Sequence, residues 1–485
     1  MKAIWENRMP LLAGLLNHAE ERYLSYHTPG HKQGQGALAE WRQLLGDEVF
    51  QLDLTELPGL DNLHDPQGII RQAQDAAANF FGSQETFFLV NGTTAGILAV
   101  LLAKSRPGSK VVLPRASHQA VIHGVILSGA HPVYLPVRSH TRLGLPGHIT
   151  AKDLDASLAA LDQSALIVLL HPSYYGLAGE LPQQVLTAHR HNCVVLVDEA
   201  HGAHFCLSPL FPIPALQAGA DFVAQGAHKV LGSFTQTAFL HCQGENNMDR
   251  IQDALRIVQS SSPSYLLMAS LDVARYQCQM EIEGWETAAR IGEKLRLDIS
   301  RIPGVSALGE ELLEVPGVVD YDPTRLVINI RELGITGFEA AEWLRRERRI
   351  LVEMADLQNL VLILGPASSE KEVEFLLEGL DSMAAACSTR NSTDRFLFPD
   401  PLQLPIPPQV MTPRDAFFAP CSLVPWESAC GKIAAEVIAP YPPGVPVICP
   451  GERIQEEVLD FLQEWDAAGG IWPGKSRGLI KIAGS

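Results

Sequence analysis

Long apolar runs, basic clusters and paired metal ligands are all missing from this chain of 485 residues. No stretch approaches the roughly 18 apolar residues of a membrane span, which excludes a transmembrane helix. The formal net charge of -18 argues against nucleic acid and against an anionic membrane surface as partners. It suits a protein that draws in cationic substrates, or one that uses charge for solubility. The eight cysteines (Cys193, Cys206, Cys242, Cys278, Cys387, Cys421, Cys430, Cys449) form no C-x-x-C pair and no zinc spacing. They read as reduced thiols in a reducing compartment. The histidines lack H-E-x-x-H spacing, so no metal site is expected. Met1 to Arg8 carries charge and has no apolar h-region. No signal peptide is therefore expected, and the protein reads as cytoplasmic.

What is present is material for several cores. A hydrophobic fraction of 46% over this length suggests about three folding units at about 150 residues each. Residues 1–60 read as an N-terminal arm, with an amphipathic helix from Leu11 to Tyr23 and then Gly-rich turns. Residues 61–285 alternate a helix over Pro66 to Phe81 with short apolar strands at Phe87 to Val90, Val111 to Leu113, Val133 to Leu135, Leu166 to Leu170, Val194 to Val197, Phe222 to Ala224 and Ala238 to Leu240. That alternation predicts an α/β domain whose mainly parallel sheet is covered on both faces. One long helix is expected from Tyr265 to about Arg301. Residues 286–395 read as a small α/β domain with strands at Arg325 to Ile330 and Leu360 to Leu364 and a helix from Gly337 to Arg348. A proline-rich linker follows at 396–413, then a C-terminal α/β domain at 414–485, compact from Trp426 onward. No internal repeat is found.

The chemistry starts from Asp198-Glu199-Ala200-His201 and Ala227-His228-Lys229, each of which follows a buried apolar run. Both sets should therefore stand at the carboxyl edge of the sheet, where open α/β sheets bind ligands. A carboxylate below a pyridine ring keeps the ring nitrogen protonated, and a lysine amine holds an aldehyde as a Schiff base. Asp198 and Lys229 suit those two roles toward pyridoxal 5'-phosphate (PLP). Alone, such an Asp is as often a helix cap or a metal ligand. D-E-x-H also marks nucleotide-driven motors, which need a G-x-x-x-x-G-K-[ST] loop that the chain is read as lacking. Asn91-Gly92-Thr93-Thr94-Ala95-Gly96 opens a helix and offers N–H groups and hydroxyls to a dianion, with an ordinary Thr N-cap as the other reading. His118, after Lys110 to Pro114, is placed to stack on a flat ring or to serve a structural role.

With these pieces in order, the chain resembles the Orn/Lys/Arg decarboxylase family of PLP-dependent basic amino acid decarboxylases. The resemblance is nearly full length. It begins at His27-Thr28-Pro29-Gly30-His31-Lys32 and runs through Asp53-Leu54-Thr55-Glu56-Leu57-Pro58-Gly59-Leu60-Asp61-Asn62-Leu63-His64. It continues through Pro172-Ser173-Tyr174-Tyr175-Gly176 and Ser261-Ser262-Pro263-Ser264-Tyr265. Near the end come Pro440-Tyr441-Pro442-Pro443-Gly444 and Pro450-Gly451-Glu452. The resemblance implies a fold type I, aspartate-aminotransferase-like large domain. It implies a Schiff base on Lys229, Asp198 at the pyridinium nitrogen, His118 on the ring face, His201 beside the cofactor, and Thr93, Thr94 and His228 at the phosphate. Ser261 or Ser262 would reach the neighbouring subunit's phosphate in a homodimer, and Glu452 would lie by the substrate's distal cation. The other reading of Glu452 is a surface helix cap.

The chain also departs from the family pattern. Gly226 stands where S-x-H-K supplies a hydroxyl, so one phosphate donor is missing or replaced by backbone. His201 stands where several larger members carry Trp. Nothing before His27 is long enough for the wing domain that builds decamers in those members, so a dimer or a dimer-based oligomer is expected. The implied reaction is decarboxylation of arginine to agmatine in polyamine metabolism, with lysine or ornithine as alternative substrates. An aminotransferase, marked by Arg325 or Arg331 facing the cofactor, is a second reading, as is aldolase-type chemistry. A non-catalytic PLP-fold binding protein is a third.

Overall fold

The computed structural model describes residues 5, 7–244, 248–387, 400–440, 444–467 and 477–484. Residues 396–399 of the expected linker and Tyr441-Pro442-Pro443 of the late motif lie outside the described residues. The chain separates into two compact units that alternate along the sequence. The first holds residues 1–103, 196–207 and 213–282, and the second holds 104–195, 208–212 and 283–485.

In the first unit the strand Glu85–Leu89 lies beside Ala238–Cys242, which lies beside Phe222–Gln225, which in turn pairs with the end of Val194–Asp198. Nearly every residue of these strands is buried, as their unbroken apolar sequence requires. Ala238–Cys242 runs antiparallel to both neighbours, while Phe222–Gln225 and Val194–Asp198 are parallel. The other three strands therefore point the same way and end at one edge. The sheet is mainly parallel, as expected, and its one reversed strand here has a simple reason: only the four-residue helix Ala227–Val230 lies between it and Phe222–Gln225, too little for a parallel crossover. In the second unit Leu166–Leu170, Lys110–Pro114 and His131–Leu135 are parallel, as expected.

Several elements differ from their sequence reading. The N-terminal region holds two further short helices, Ala39–Leu45 and Asp47–Leu52, in place of turns alone. The single helix expected from Tyr265 breaks at Glu281 into Tyr265–Met280 and Ile282–Ile299. Gln277 donates to the Glu281 side chain there, closing the first helix with a local side-chain bond. The helix from Gly337 changes after Trp343 into a π-helix, Leu344–Arg348. The second unit carries separate apolar clusters, one drawn from residues between Leu295 and Cys387 and another from residues between Trp426 and Ile482.

The Asp53 to His64 block has a clear structural task in the first unit. The Asp61 carboxylate accepts from the backbone N–H of Asn62, Gln67, Gly68, Ile70 and Arg71 at 2.7–3.3 Å, and so caps the helix Ile69–Phe81 from a distance. The Tyr265 hydroxyl donates to the Asp61 carbonyl at 2.7 Å, and a His64 ring nitrogen lies 2.7 Å from the Ser260 carbonyl, so two distant motifs are tied together. Partial burial opposes the charge on Asp61, but the N–H donors outweigh it and lower the carboxyl below its usual range. Asp61→Ala should therefore destabilise the protein by about 2–3 kcal/mol, seen as a lower denaturation midpoint. Because the folded pKa is depressed, this contribution is present at neutral pH and fades as pH falls through the folded pKa, so mutant and wild type converge in acid.

Candidate active site

Three strand ends in the first unit bring the expected cofactor residues to one edge. After Glu85–Leu89 the chain turns through Gly92, whose φ of +69° a side chain would strain, and opens the helix Gly92–Lys104 with Thr93 and Thr94 in its first turn. The Gly92 N–H donates to the Gln236 carbonyl at 2.7 Å. Gln236 is itself at φ +85° and exposed, a strained position that no local sequence signal marked. Asp198 is the last residue of its strand and is buried, with one carboxylate oxygen accepting from the Ala200 N–H at 3.2 Å. Lys229 and His228 sit on the short helix just after Phe222–Gln225.

The Lys229 amine lies 3.0 Å from Nε2 of His201, so a proton on either nitrogen is shared with the other. His228 places Nδ1 2.8 Å from the Thr237 carbonyl and donates to it. Its Nε2 then offers a hydrogen to an anion only as imidazolium. A lysine, a buried acid and a helix N-terminus at one sheet edge fit the aldehyde, pyridine and phosphate ends of PLP.

Gly226 has a reason beyond a missing hydroxyl. A Cβ there would lie 2.6 Å from the Ala200 carbonyl oxygen and 3.2 Å from Cδ of Lys229. Gly226→Ser, which restores the family's hydroxyl, should therefore push on both the Asp198 segment and the lysine stem. We expect a loss of about 1–3 kcal/mol and weaker PLP binding, measured by thermal melting and cofactor titration. A serine that tightened PLP at unchanged stability would contradict this.

Sequence reasoning missed what lies next to Asp198. Glu199 is fully buried, and its oxygens accept from the Gln225 side chain and the Ala215 N–H, both at 2.7 Å. Gln225 accepts from His241 at 2.9 Å, and the other ring nitrogen of His241 meets Thr86 at 2.8 Å. One direction satisfies every member of this row. Thr86 donates to His241, His241 to Gln225, and Gln225 to Glu199. Burial pushes Glu199 up to about 8, against the opposing bonds from Gln225 and Ala215, and holds His241 down to about 3. The folded pKa of Glu199 is raised, so its contribution is full below the unfolded value and is lost as pH rises toward 8. Glu199→Gln can be absorbed by flipping the Gln225 amide and the His241 tautomer. Its unfolding free energy should be flatter than wild type between about pH 5 and pH 8, a comparison made by denaturant titration.

His118 belongs to the second unit, at the N-cap of the helix Gln119–Ser128, and its exposed ring accepts from the Ala120 N–H at 3.2 Å. Glu452 corrects its sequence reading. It is fully buried, with its oxygens 2.5 and 2.9 Å from the Arg115 guanidinium and the Cys449 N–H donating to it at 2.7 Å. It is thus not an exposed helix cap, and its carboxylate is engaged by Arg115 and the Cys449 N–H. Arg325, watched as a carboxylate clamp, is buried on the strand Arg325–Asn329 of the second unit. Ser261 and Ser262 are exposed in the first unit.

A further correction concerns the phosphate loop. Gly469 to Ser476 does spell G-x-x-x-x-G-K-S, in residues that all lie outside those described. In sequence it follows the helix Glu456–Ala467 and precedes the strand Leu479–Ala483, the reverse of the strand-loop-helix order such a loop needs. Among the described residues no group of three or more His, Cys, Asp or Glu is arranged to hold a metal, and no helix is long and apolar enough to cross a membrane.

Comparison with known proteins gives a consistent picture. The family model for the major domain of the Orn/Lys/Arg decarboxylases matches residues 9–314, and the model for their C-terminal domain matches residues 402–479. The arginine decarboxylase of Bacillus subtilis is 37% identical over 464 residues, covering 94% of this chain and 93% of that protein. The arginine decarboxylase of Bacillus anthracis is 35% identical over 458 residues, covering 94% and 92%. Among solved structures, the lysine decarboxylase LdcF of Francisella novicida shares the fold with a TM-score of 0.87 at 20% identity, over 99% of this chain and 82% of that one.

Proposed function

Because the chain belongs to the Orn/Lys/Arg decarboxylase family, whose members depend on PLP, we propose that it converts L-arginine to agmatine and carbon dioxide. The observation that carries the chemistry is Lys229 at 3.0 Å from His201, at the same sheet edge as buried Asp198. The choice of arginine rests on the relatives named arginine decarboxylase at 35–37% identity.

Bound PLP supplies an electron sink for the pair left at Cα when carbon dioxide departs. The chain supplies the rest. His201 takes the proton from the Lys229 ammonium, which leaves the neutral amine needed to hold the aldehyde. Asp198, with its second oxygen free of the Ala200 bond, would accept the ring N–H and keep it charged. Thr93, Thr94 and the start of their helix would hold the phosphate, with His228 beside them, and His118 would be the residue that stacks on the ring. Ser261 or Ser262 completes the phosphate site of a second copy, so the active form is a homodimer or an assembly of dimers. Exposed apolar side chains of the first unit, among them Leu24, Tyr26, Leu38 and Leu44, suit burial against that copy. The reading extends to a cytoplasmic enzyme whose product feeds polyamine synthesis.

The test is to offer arginine, lysine and ornithine in parallel to the PLP-loaded protein and resolve the amines by mass. Agmatine from arginine at the highest kcat/KM is the expected result. Cadaverine as the main product would move the assignment to lysine, and inertness toward all three would overturn the substrate class.

A further inference from the structure

The Arg115–Glu452 pair joins residues 337 positions apart within the second unit, and three features show how firmly it is built. Both terminal guanidinium nitrogens engage the carboxylate, and Nε donates to the Pro446 carbonyl at 2.8 Å, so all three nitrogens are used and the plane is fixed. The guanidinium lies 4.7 Å over the Tyr134 ring, which fixes the remaining rotation. The Arg115 N–H donates to the Leu135 carbonyl at 2.8 Å, so the backbone is pinned as well.

From Arg115 the chain reaches His118 with little freedom left. Ser117 bonds the Pro114 carbonyl through both its N–H and its hydroxyl, and His118 caps the helix that follows. That helix is gripped again by the same late part of the chain. Ile122 and Ile126 pack with Cys449, and Arg414 donates to the Leu127 carbonyl at 3.2 Å. Pro446 and Glu452 thus hold the His118 segment before the histidine, Cys449 along the helix and Arg414 at the helix end.

A buried ion pair is a weak way to add stability, since apolar residues of the same volume do as well or better. Its strength is directional, and here everything it directs leads to one exposed ring. We propose that Arg115 and Glu452 are positioning residues: through them the C-terminal segment sets the place of His118, so that retention of the cofactor depends on a contact outside its binding site. This rests on the reading that His118 lies on the ring of PLP.

The experiment measures the rate of PLP loss from the holoenzyme and the circular dichroism of the bound cofactor for Glu452→Gln, His118→Ala and the double variant. Glu452→Gln keeps the shape but replaces one acceptor oxygen with an NH2 group, a donor facing an Arg115 donor. His118→Ala should speed PLP loss by about 10-fold or more and weaken the dichroic band, by analogy with the loss of a supporting residue elsewhere. Glu452→Gln should do the same to a similar or smaller extent. The double variant should be no worse than His118→Ala alone, because both act through one ring.

Additive effects, or an unchanged off-rate in Glu452→Gln with normal folding, would overturn the proposal. A raised KM for arginine in that variant with unchanged PLP retention would overturn it in favour of a substrate contact. If His118→Ala itself leaves off-rate and dichroism untouched, the placement of His118 fails first and the proposal falls with it. Should Glu452→Gln not fold, Arg414→Ala removes the outer grip alone. It should speed PLP loss about 2- to 3-fold in the wild-type background and not in His118→Ala, a reduced form of the same coupling. An equal effect in both backgrounds would overturn the proposal.

Discussion

Lys229→Ala should abolish turnover, lowering kcat by about 10⁴-fold or more, and should remove the absorbance band of lysine-bound PLP. The side chain is only half-buried and its amine lies beside the His201 ring, so the thermal midpoint of the apoprotein should stay close to that of the wild type. The two results belong together. Loss of activity with loss of stability would speak of misfolding, whereas loss of activity with loss of the band at constant stability isolates the amine. Retained activity would remove Lys229 from the chemistry altogether.

Asp198→Asn should come second in size. The side chain is buried at the strand end, and asparagine keeps its volume and the bond from the Ala200 N–H while removing the charge. A neutral amide cannot hold the ring nitrogen protonated, so kcat should fall by about 10²–10³-fold, with stability nearly unchanged. Steady-state kinetics alongside PLP titration checks this. A fall in PLP affinity with kcat intact would make Asp198 an anchor for the cofactor and not the group that keeps its ring charged.

Asp198 and Lys229 were legible in the sequence because their placement is local: each ends or follows a buried apolar run, and a strand end is a place on the sheet edge whatever its neighbours are. The row from Thr86 to Glu199 was not, because it crosses strands whose order interposes Ala238–Cys242, and strand order is set by pairing over long separations. Gly226 was visible as an absent hydroxyl, yet the Ala200 carbonyl that occupies the space lies in another segment. Glu452 misled for the same reason. An acidic residue after Pro-Gly carries no mark of an arginine 337 positions away. The break at Glu281 has no Gly or Pro at its own position, and the Asp53 to His64 block, visible only as a motif of the family, does much of its work in capping a helix.

The most direct test is to reduce the PLP-loaded protein with borohydride, digest it and locate the pyridoxyl mass. The account predicts a single modified peptide carrying that mass on Lys229. Label on any other lysine, or none under conditions where PLP remains bound, would contradict it.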